Sequence, residues 1–156
     1  MGHQRLIACV LMLLSWTASA AAKDIALITN KSNHVVDIAL PELVRICKGQ
    51  TSQWPDGKAV SFVTRDPASP EMRLVLEKIY GLPKEEVTAM IATANHNRVN
   101  HPAIVVADSD QDLVKKVEST PGAVGLVDVY AITGSVTVVR VGGKLPLEPG
   151  YALHGN

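Results

Sequence analysis

The sequence of 156 residues is poor in aromatic side chains, which make up 4% of it, and it contains only two cysteines. It also lacks an excess of charge of either sign, because 15 Lys and Arg residues balance 15 Asp and Glu residues. A nucleic-acid partner requires a basic surface and often stacking aromatics, so this composition argues against one. Two cysteines are too few for a small fold held together by disulfides. The 47% of hydrophobic residues instead indicates an ordered chain with a core of its own.

The N-terminal segment has the pattern of a secretory signal peptide. A basic residue precedes an apolar run at 6–16, and a small-x-small cleavage motif follows at 18–20. The run is too short for a membrane-spanning helix, and no later apolar segment approaches the length of one. We therefore predict a signal peptide at 1–20, with cleavage as late as residue 22 left open, and a protein that is periplasmic or secreted. We expect no membrane insertion after cleavage, and no lipidation at Cys9, since only three apolar residues precede it.

Residues 21–156 form a single domain in this prediction, in which strands alternate with amphipathic helices. Apolar runs predict the strands, and apolar side chains spaced three or four residues apart predict the helices. The predicted strands lie at 25–29, 60–64, 104–106, 123–127 and 136–141, and the predicted helices begin near residues 40, 69, 83 and 109. In the second helix, Ser69 stands at the N-cap and Gly81 follows the end. Such alternation predicts an α/β fold, a single three-layer lobe with a mainly parallel central sheet and helices on both faces.

Four landmarks follow one another along the chain: Ala-Leu-Ile-Thr-Asn at 26–30, Leu-Val-Arg-Ile-Cys-Lys-Gly at 43–49 with Trp-Pro-Asp-Gly at 54–57, the segment 65–73, and Thr-Pro-Gly-Ala-Val-Gly-Leu-Val at 120–127. Together they resemble the phosphate-type periplasmic solute-binding proteins of ABC transporters, over about residues 25–130. Members of that family usually have two lobes that close on the ligand, and these landmarks belong to the second lobe only. The resemblance therefore implies a periplasmic-binding-protein-like lobe that forms half of a two-sided site.

The resemblance also implies a candidate anion-binding segment. In the family, a strand-end Arg is followed by a Ser-Gly-Thr that begins a helix, and helix N–H groups and the Arg bind an oxyanion together. Arg65 and Ser69 match this pattern, whereas Pro70 removes an N–H donor and Glu71 replaces a hydroxyl by a negative charge. Arg73, one turn into the helix, is the residue that could offset Glu71. Arg65, Ser69 and Arg73 are thus the candidate ligand-binding residues, although an ordinary helix start explains Ser69 to Glu71 and is the interpretation we favour.

Other residues with reactive side chains fit structural roles better. Cys47 shares the apolar stripe of the first predicted helix, so a buried hydrophobic group is a better interpretation than a nucleophile. His96 and His101 lie in a polar segment without a close third metal ligand, so we expect them to be solvated loop residues. The segment 108–112 begins like a calcium loop, but Leu113 stands where that loop needs Gly, and a helix start explains the pattern. We therefore predict no metal site, no cofactor and no catalytic constellation.

The leading functional hypothesis is a non-enzymatic, extracytoplasmic protein similar to the phosphate-binding proteins of ABC transporters. On this hypothesis it binds a small oxyanion such as phosphate weakly, or binds it as an oligomer whose second subunit supplies the other wall. An ABC transporter or another envelope protein would be its partner. The alternative is an interaction module of the bacterial envelope that binds no small ligand, which the departures at Pro70 and Glu71 favour.

Overall fold

The computed structural model describes residues 23–155, and the predicted signal peptide at 1–20 lies outside them. In chain order, this part of the chain forms β1 (Ile25–Asn30), β2 (Asp37–Ile38), α1 (Leu40–Cys47), β3 (Ser61–Arg65), α2 (Arg73–Val75), α3 (Lys84–Ala94), β4 (Ile104–Ala107), α4 (Asp110–Ser119), β5 (Ala123–Asp128) and β6 (Val136–Val141). The five predicted strands are confirmed, each to within one residue at either end.

The strands form one six-stranded sheet in the order β2-β6-β1-β5-β3-β4. β3 pairs in parallel with β4 and β5, and β2 pairs in parallel with β6, whereas β1 is antiparallel to both β5 and β6. Five strands therefore point the same way and β1 points the other way, which confirms the mainly parallel sheet. The sequence does not predict β2, because two residues are too few to show a periodicity, and it does not predict the reversed direction of β1.

Helices cover both faces of the sheet, as predicted for a three-layer lobe. One core contains Leu27 of β1 together with Leu43 of α1 and Val87 of α3. The other core contains Ile28, the next residue of β1, together with Leu113 of α4. Successive strand residues point to opposite faces, so β1 contributes to both cores. Full burial of a side chain of this size stabilises the fold by about 1.5–3 kcal/mol.

The second predicted helix is a mixed helical segment at 70–80 rather than a regular α-helix. It consists of a 3-10 turn at Pro70–Met72, the short α2 and a π-helical stretch at Leu76–Tyr80. The π stretch closes with a hydrogen bond from the Gly81 N–H to the Leu76 carbonyl (2.8 Å), and Gly81 ends the segment with φ +61°. The last residue of the stretch, Tyr80, is buried, so the far end of the segment is anchored in the core.

Cys47 lies in the core at the end of α1 and is a free thiol. Burial raises the pKa of this thiol far above its ordinary value, which keeps it neutral and unreactive. Its carbonyl oxygen accepts a hydrogen bond from the Tyr80 hydroxyl (2.7 Å), which ties the 70–80 segment to α1. The prediction that Cys47 is a buried hydrophobic group is confirmed.

The Pro-Gly-Ala-Val-Gly landmark lies where several parts of the lobe approach closely. Gly122 has φ +79°, and a Cβ atom on it would lie 2.3 Å from the Ala59 carbonyl oxygen. A Cβ atom on Gly125 would lie 2.8 Å from Leu113 Cδ2, because α4 packs directly onto β5. The Gly122 carbonyl also accepts a hydrogen bond from Trp54 Nε1 (2.8 Å). Backbone conformation and close packing therefore explain this landmark.

Candidate ligand-binding site

The carboxyl ends of β3, β4 and β5 meet at one edge of the sheet, and open α/β sheets bind their ligands at this kind of edge. Arg65 is the last residue of β3, Asp128 is the last residue of β5, and Asp108 directly follows β4. We call this region, defined by these three residues, the carboxyl edge. Asp128 is paired with Lys23 (3.3 Å). The carboxyl edge thus carries charged side chains of both signs.

Arg65 is the central cation of the carboxyl edge, and its side chain is only 14% exposed. Its Nη1 donates a hydrogen bond to Asp110 Oδ1 at 2.6 Å. Its Nη2 lies 3.7 Å from Glu71 Oε2, which is an ion pair without a direct hydrogen bond. Its Nε is buried and finds no hydrogen-bond acceptor among residues 23–155. The guanidinium group therefore faces two carboxylates, and its buried Nε donor has no acceptor among them.

Asp110 reaches Arg65 because β3 and β4 are parallel neighbours. Arg65 stands in register with Ala107, the last residue of β4, and α4 begins shortly afterwards at Asp110. Asp110 is a site residue that sequence reasoning missed. Its signal in the sequence is an acidic segment directly after a predicted strand, since the carboxyl ends of parallel neighbours lie at the same edge.

The acidic segment itself forms the start of α4, as predicted. Ser109 Oγ accepts a hydrogen bond from the Asp112 N–H (3.0 Å), and Asp112 Oδ2 accepts one from the Asp108 N–H (3.0 Å). The bond from the Asp108 backbone, assisted by Lys116, lowers the pKa of the Asp112 carboxyl. The Ser109 bond satisfies a backbone donor that the first turn of a helix leaves free, and the Asp112 bond holds the residue before the N-cap.

Ser69 occupies the N-cap position of the 70–80 segment, as predicted, but its side chain does not cap the segment. The hydroxyl instead donates to the Asp66 carbonyl (2.7 Å), which also accepts the Ser69 N–H (2.9 Å). The Ala68 N–H donates to Asp66 Oδ1 (2.8 Å). Pro67 and Pro70 carry no N–H at all. The loop therefore uses on itself the donors of Ala68 and Ser69 that an oxyanion would need.

Arg73 is exposed. Together with Ser69, Glu77 and Lys84 it lines a shallow cavity of about 640 Å³, and Arg65 is not among the lining residues. The structure thus places two of the three predicted residues in one cavity and the third against Asp110. The ligand-binding role of all three stays a prediction.

His96 and His101 are exposed in the loop between α3 and β4, as expected for solvated residues. Among residues 23–155, no group of three His, Cys, Asp or Glu side chains is arranged to hold a metal ion. Over the same range, no helix is both long enough and apolar enough to cross a membrane. The charged group around Arg65 is the candidate site, because it lies at the carboxyl ends of the strands.

A family model described as a PBP superfamily domain matches residues 15–147 of this sequence. The chain belongs to the PBP superfamily. This match agrees with the resemblance inferred from the four landmarks and with the observed α/β lobe. A comparison with curated protein sequences gives no match.

Solved structures of phosphate-binding proteins have the same fold as this lobe. The ABC-type phosphate transport receptor from Vibrio cholerae has a TM-score of 0.64 at 18% identity, and PstS from Borrelia burgdorferi has 0.64 at 15%. A protein from Clostridium perfringens, described as a phosphate ABC transporter substrate-binding protein with bound phosphate, has 0.62 at 26%. The matches cover 80%, 86% and 78% of this chain but only 48%, 55% and 46% of the other chains, respectively. The chain spans about half the length of these proteins, which fits a single lobe. The resemblance to phosphate-type solute-binding proteins is confirmed.

Proposed function

We propose that this protein is an exported, non-enzymatic solute-binding protein that binds a small oxyanion such as phosphate at the carboxyl edge. A signal peptide at 1–20 directs it to the periplasm or the exterior, and residues 21–156 form the binding domain. The observation that carries the proposal is the position of Arg65, a largely buried cation at the edge where α/β sheets bind ligands. The phosphate bound to the Clostridium perfringens protein supports this ligand class.

Arg65 has the geometry that oxyanion binding requires. Guanidinium N–H groups form a planar fork that matches two oxygens of phosphate or sulfate. One donor of this fork, Nε, has no acceptor among the described residues, and Nη2 has only the loose contact with Glu71. A partly buried position strengthens the attraction between this cation and an anion, because less water screens it.

The carboxyl edge of this lobe provides one wall of a site, so affinity depends on what forms the other wall. We infer that a single subunit binds the oxyanion weakly and that a second copy, or an ABC transporter component, completes the site. A second wall would exclude water and supply donors in place of those that the 66–69 loop uses on itself.

Calorimetric titration of the exported protein with phosphate and sulfate, combined with native mass spectrometry, tests this function. We expect weak, saturable binding or an anion-dependent dimer. Arg65→Gln should abolish either effect, whereas Arg98→Gln, which removes an exposed arginine from the loop between α3 and β4, should not. Absence of binding in the wild type, with no effect of Arg65→Gln, would contradict the ligand assignment.

The intact mass of the exported protein tests the proposed domain boundary. Cleavage after Ala20 or Ala22 gives two distinct masses, and either one supports export with removal of the signal peptide. An exported protein that still carries residues 1–20 would contradict this part of the proposal.

A second candidate function, an interaction module without a small ligand, is favoured by one specific observation. Asp110 and Glu71 already neutralise Arg65, so the guanidinium has no unbalanced positive charge to attract an anion. On this alternative the paired cluster is structural, and the lobe binds an envelope protein through its surface. Pull-down of a specific envelope partner by both the wild type and Arg65→Gln, without oxyanion binding, would support the alternative.

A further inference from the structure

We propose that Glu71 lowers the oxyanion affinity of the site, because it is an internal carboxylate that competes with external oxyanions for Arg65. This inference rests on the proposed function, because it explains how the same Arg65 admits or rejects an anion. The two carboxylates that face Arg65 differ in their distance from it and in their exposure. Asp110 holds the guanidinium group in place, whereas Glu71 competes with an incoming anion.

Asp110 is the anchor of the guanidinium group. Its Oδ1 lies 2.6 Å from Arg65 Nη1, the length of a strong charge-assisted hydrogen bond, and its side chain is 26% exposed. Asp110 is the first residue of α4, and Arg65 is the last residue of β3, which pairs with β4. The backbones of both residues are therefore held in regular secondary structure. Asp110 therefore orients Arg65 and leaves the opposite side of the fork to other groups.

Glu71 occupies that opposite side only loosely. Its Oε2 lies 3.7 Å from Arg65 Nη2, beyond hydrogen-bond distance, and its side chain is 43% exposed. The attraction at this distance is electrostatic and is partly screened by water. The Glu71 side chain also gains conformational entropy when it is released from Arg65. An incoming anion thus displaces Glu71 far more easily than Asp110.

The buried Nε of Arg65 identifies the donor that gains from this exchange. It has no acceptor among the described residues, and a buried donor without an acceptor is destabilising. Nε and Nη2 form the side of the guanidinium fork that binds two oxygens of one oxyanion. Glu71 approaches Nη2 without a hydrogen bond and leaves Nε without an acceptor, whereas phosphate or sulfate bound on this side would satisfy both donors at once.

The backbone that carries Glu71 is anchored on the core. Glu71 belongs to the turn Pro70–Met72, in which Met72 is buried and its Sδ accepts a hydrogen bond from the Thr64 hydroxyl (3.3 Å). The backbone of the turn is therefore fixed on the core, while the Glu71 carboxylate extends along the surface. On this proposal the Glu71 side chain rotates away from Arg65 Nη2 when the anion binds.

The decisive experiment compares Glu71→Gln with Glu86→Gln in calorimetric titrations with inorganic phosphate and sulfate. Both variants remove one negative charge, but Glu86 is exposed in the first turn of α3 and is not an ion-pair partner of Arg65. We expect Glu71→Gln to bind at least about tenfold more tightly than the wild type, because the anion no longer competes with a carboxylate. Glu86→Gln should bind like the wild type.

A second measurement follows the Arg65 Nε–H resonance by NMR, assigned by its loss in Arg65→Lys. Phosphate should shift this resonance at lower concentration in Glu71→Gln than in the wild type. Equal affinity gains in Glu71→Gln and Glu86→Gln, or an Nε–H resonance that does not respond to a bound anion, would overturn the role of Glu71.

The outcomes separate this inference from the proposed function. Binding that depends on Arg65 but is unchanged by Glu71→Gln overturns the inference and leaves the function standing. Absence of phosphate and sulfate binding in the wild type and in Glu71→Gln, up to millimolar concentrations, overturns both. Binding by Glu71→Gln without binding by the wild type supports competition by Glu71 and contradicts phosphate or sulfate binding by the wild-type protein.

Discussion

Two loops of this lobe carry family landmarks, and they are held in different ways. The turn that contains Gly122 is fixed by a positive φ, by contact with the Ala59 carbonyl and by the hydrogen bond from Trp54. The loop at 66–69 is largely exposed and makes its short hydrogen bonds to itself. Packing within the lobe explains the first landmark, whereas a ligand-binding role for the second is part of the proposed function. Resemblance in the first is therefore evidence for the fold, and only resemblance in the second is evidence for phosphate.

The largest effect should come from breaking the packed turn by Gly122→Ala. An Ala at φ +79° is strained, and its Cβ would collide with the Ala59 carbonyl at 2.3 Å, so we expect the unfolding free energy to fall by about 3 kcal/mol or more. Urea denaturation measures the loss. Gly134→Ala is the matched control, since a Cβ there meets no atom within 4 Å, and it should change stability by less than about 0.5 kcal/mol. Similar losses in the two variants would contradict the packing explanation.

A smaller loss should follow from Trp54→Phe, which removes the hydrogen-bond donor of the same turn. The Gly122 carbonyl would lose its partner in a buried environment, which costs about 1–3 kcal/mol. Tyr130→Phe, at an exposed position of the carboxyl edge, should leave the urea midpoint nearly unchanged and serves as control. An unchanged midpoint in Trp54→Phe would show that the indole hydrogen bond is unimportant for the turn.

High pH should lower the free energy of unfolding through two buried groups, Cys47 and Tyr80, which lie where the 70–80 segment meets α1. Burial raises the pKa of the Cys47 thiol and of the Tyr80 hydroxyl, so both groups stay neutral in the folded state while they ionise in the unfolded state. Their contribution to the free energy of unfolding is fully present below the unfolded-state pKa values, about 8.5 for Cys and about 10 for Tyr. Above the pKa of each group, the free energy of unfolding falls by up to about 1.4 kcal/mol per pH unit for that group. Urea midpoints between neutral and alkaline pH measure the loss.

Cys47→Ala provides the control for the alkaline transition. Without the thiol, the decline in stability should begin near the unfolded pKa of tyrosine, about 10, rather than near that of cysteine, about 8.5. An unchanged onset would mean that the Cys47 thiol does not contribute to the pH dependence.

The smallest effects should distinguish the two serines at helix starts. Ser109 caps α4 by accepting the Asp112 N–H, so Ser109→Ala should cost about 1 kcal/mol. The Ser69 hydroxyl donates backwards to Asp66 in an exposed loop, so Ser69→Ala should cost less than about 0.5 kcal/mol. Thermal denaturation of both variants measures the difference, and a larger loss in Ser69→Ala would contradict the hydrogen-bond assignment.

The candidate site could be predicted from the sequence only in part. The family resemblance implied that Arg65 lies at a strand end, and the local sequence predicted Ser69 at a helix start; both positions are correct. The partner of Arg65 could not be found in this way, because Asp110 is 45 residues distant and reaches it through parallel pairing of β3 and β4. The direction of the Ser69 hydroxyl depends on the local turn at Asp66, which residue types alone do not specify.

The sequence by itself determined the α/β class, the order along the chain of the helices and of the strands other than β2, and the buried state of Cys47, because these follow from local periodicity of apolar residues. Only the tertiary structure decided the reversed β1, the π-helical end of the 70–80 segment and the two carboxylates at Arg65. The reversed β1, the Arg65–Asp110 pair and the Tyr80–Cys47 hydrogen bond at the π-helical end depend on contacts between residues far apart in the chain, about which local periodicity contains no information. Glu71 is close to Arg65 in the chain, but its approach depends on the backbone of the turn between them, which periodicity does not specify either. The composition shows equal numbers of acidic and basic residues, but only the structure shows that Arg65 is paired with Asp110.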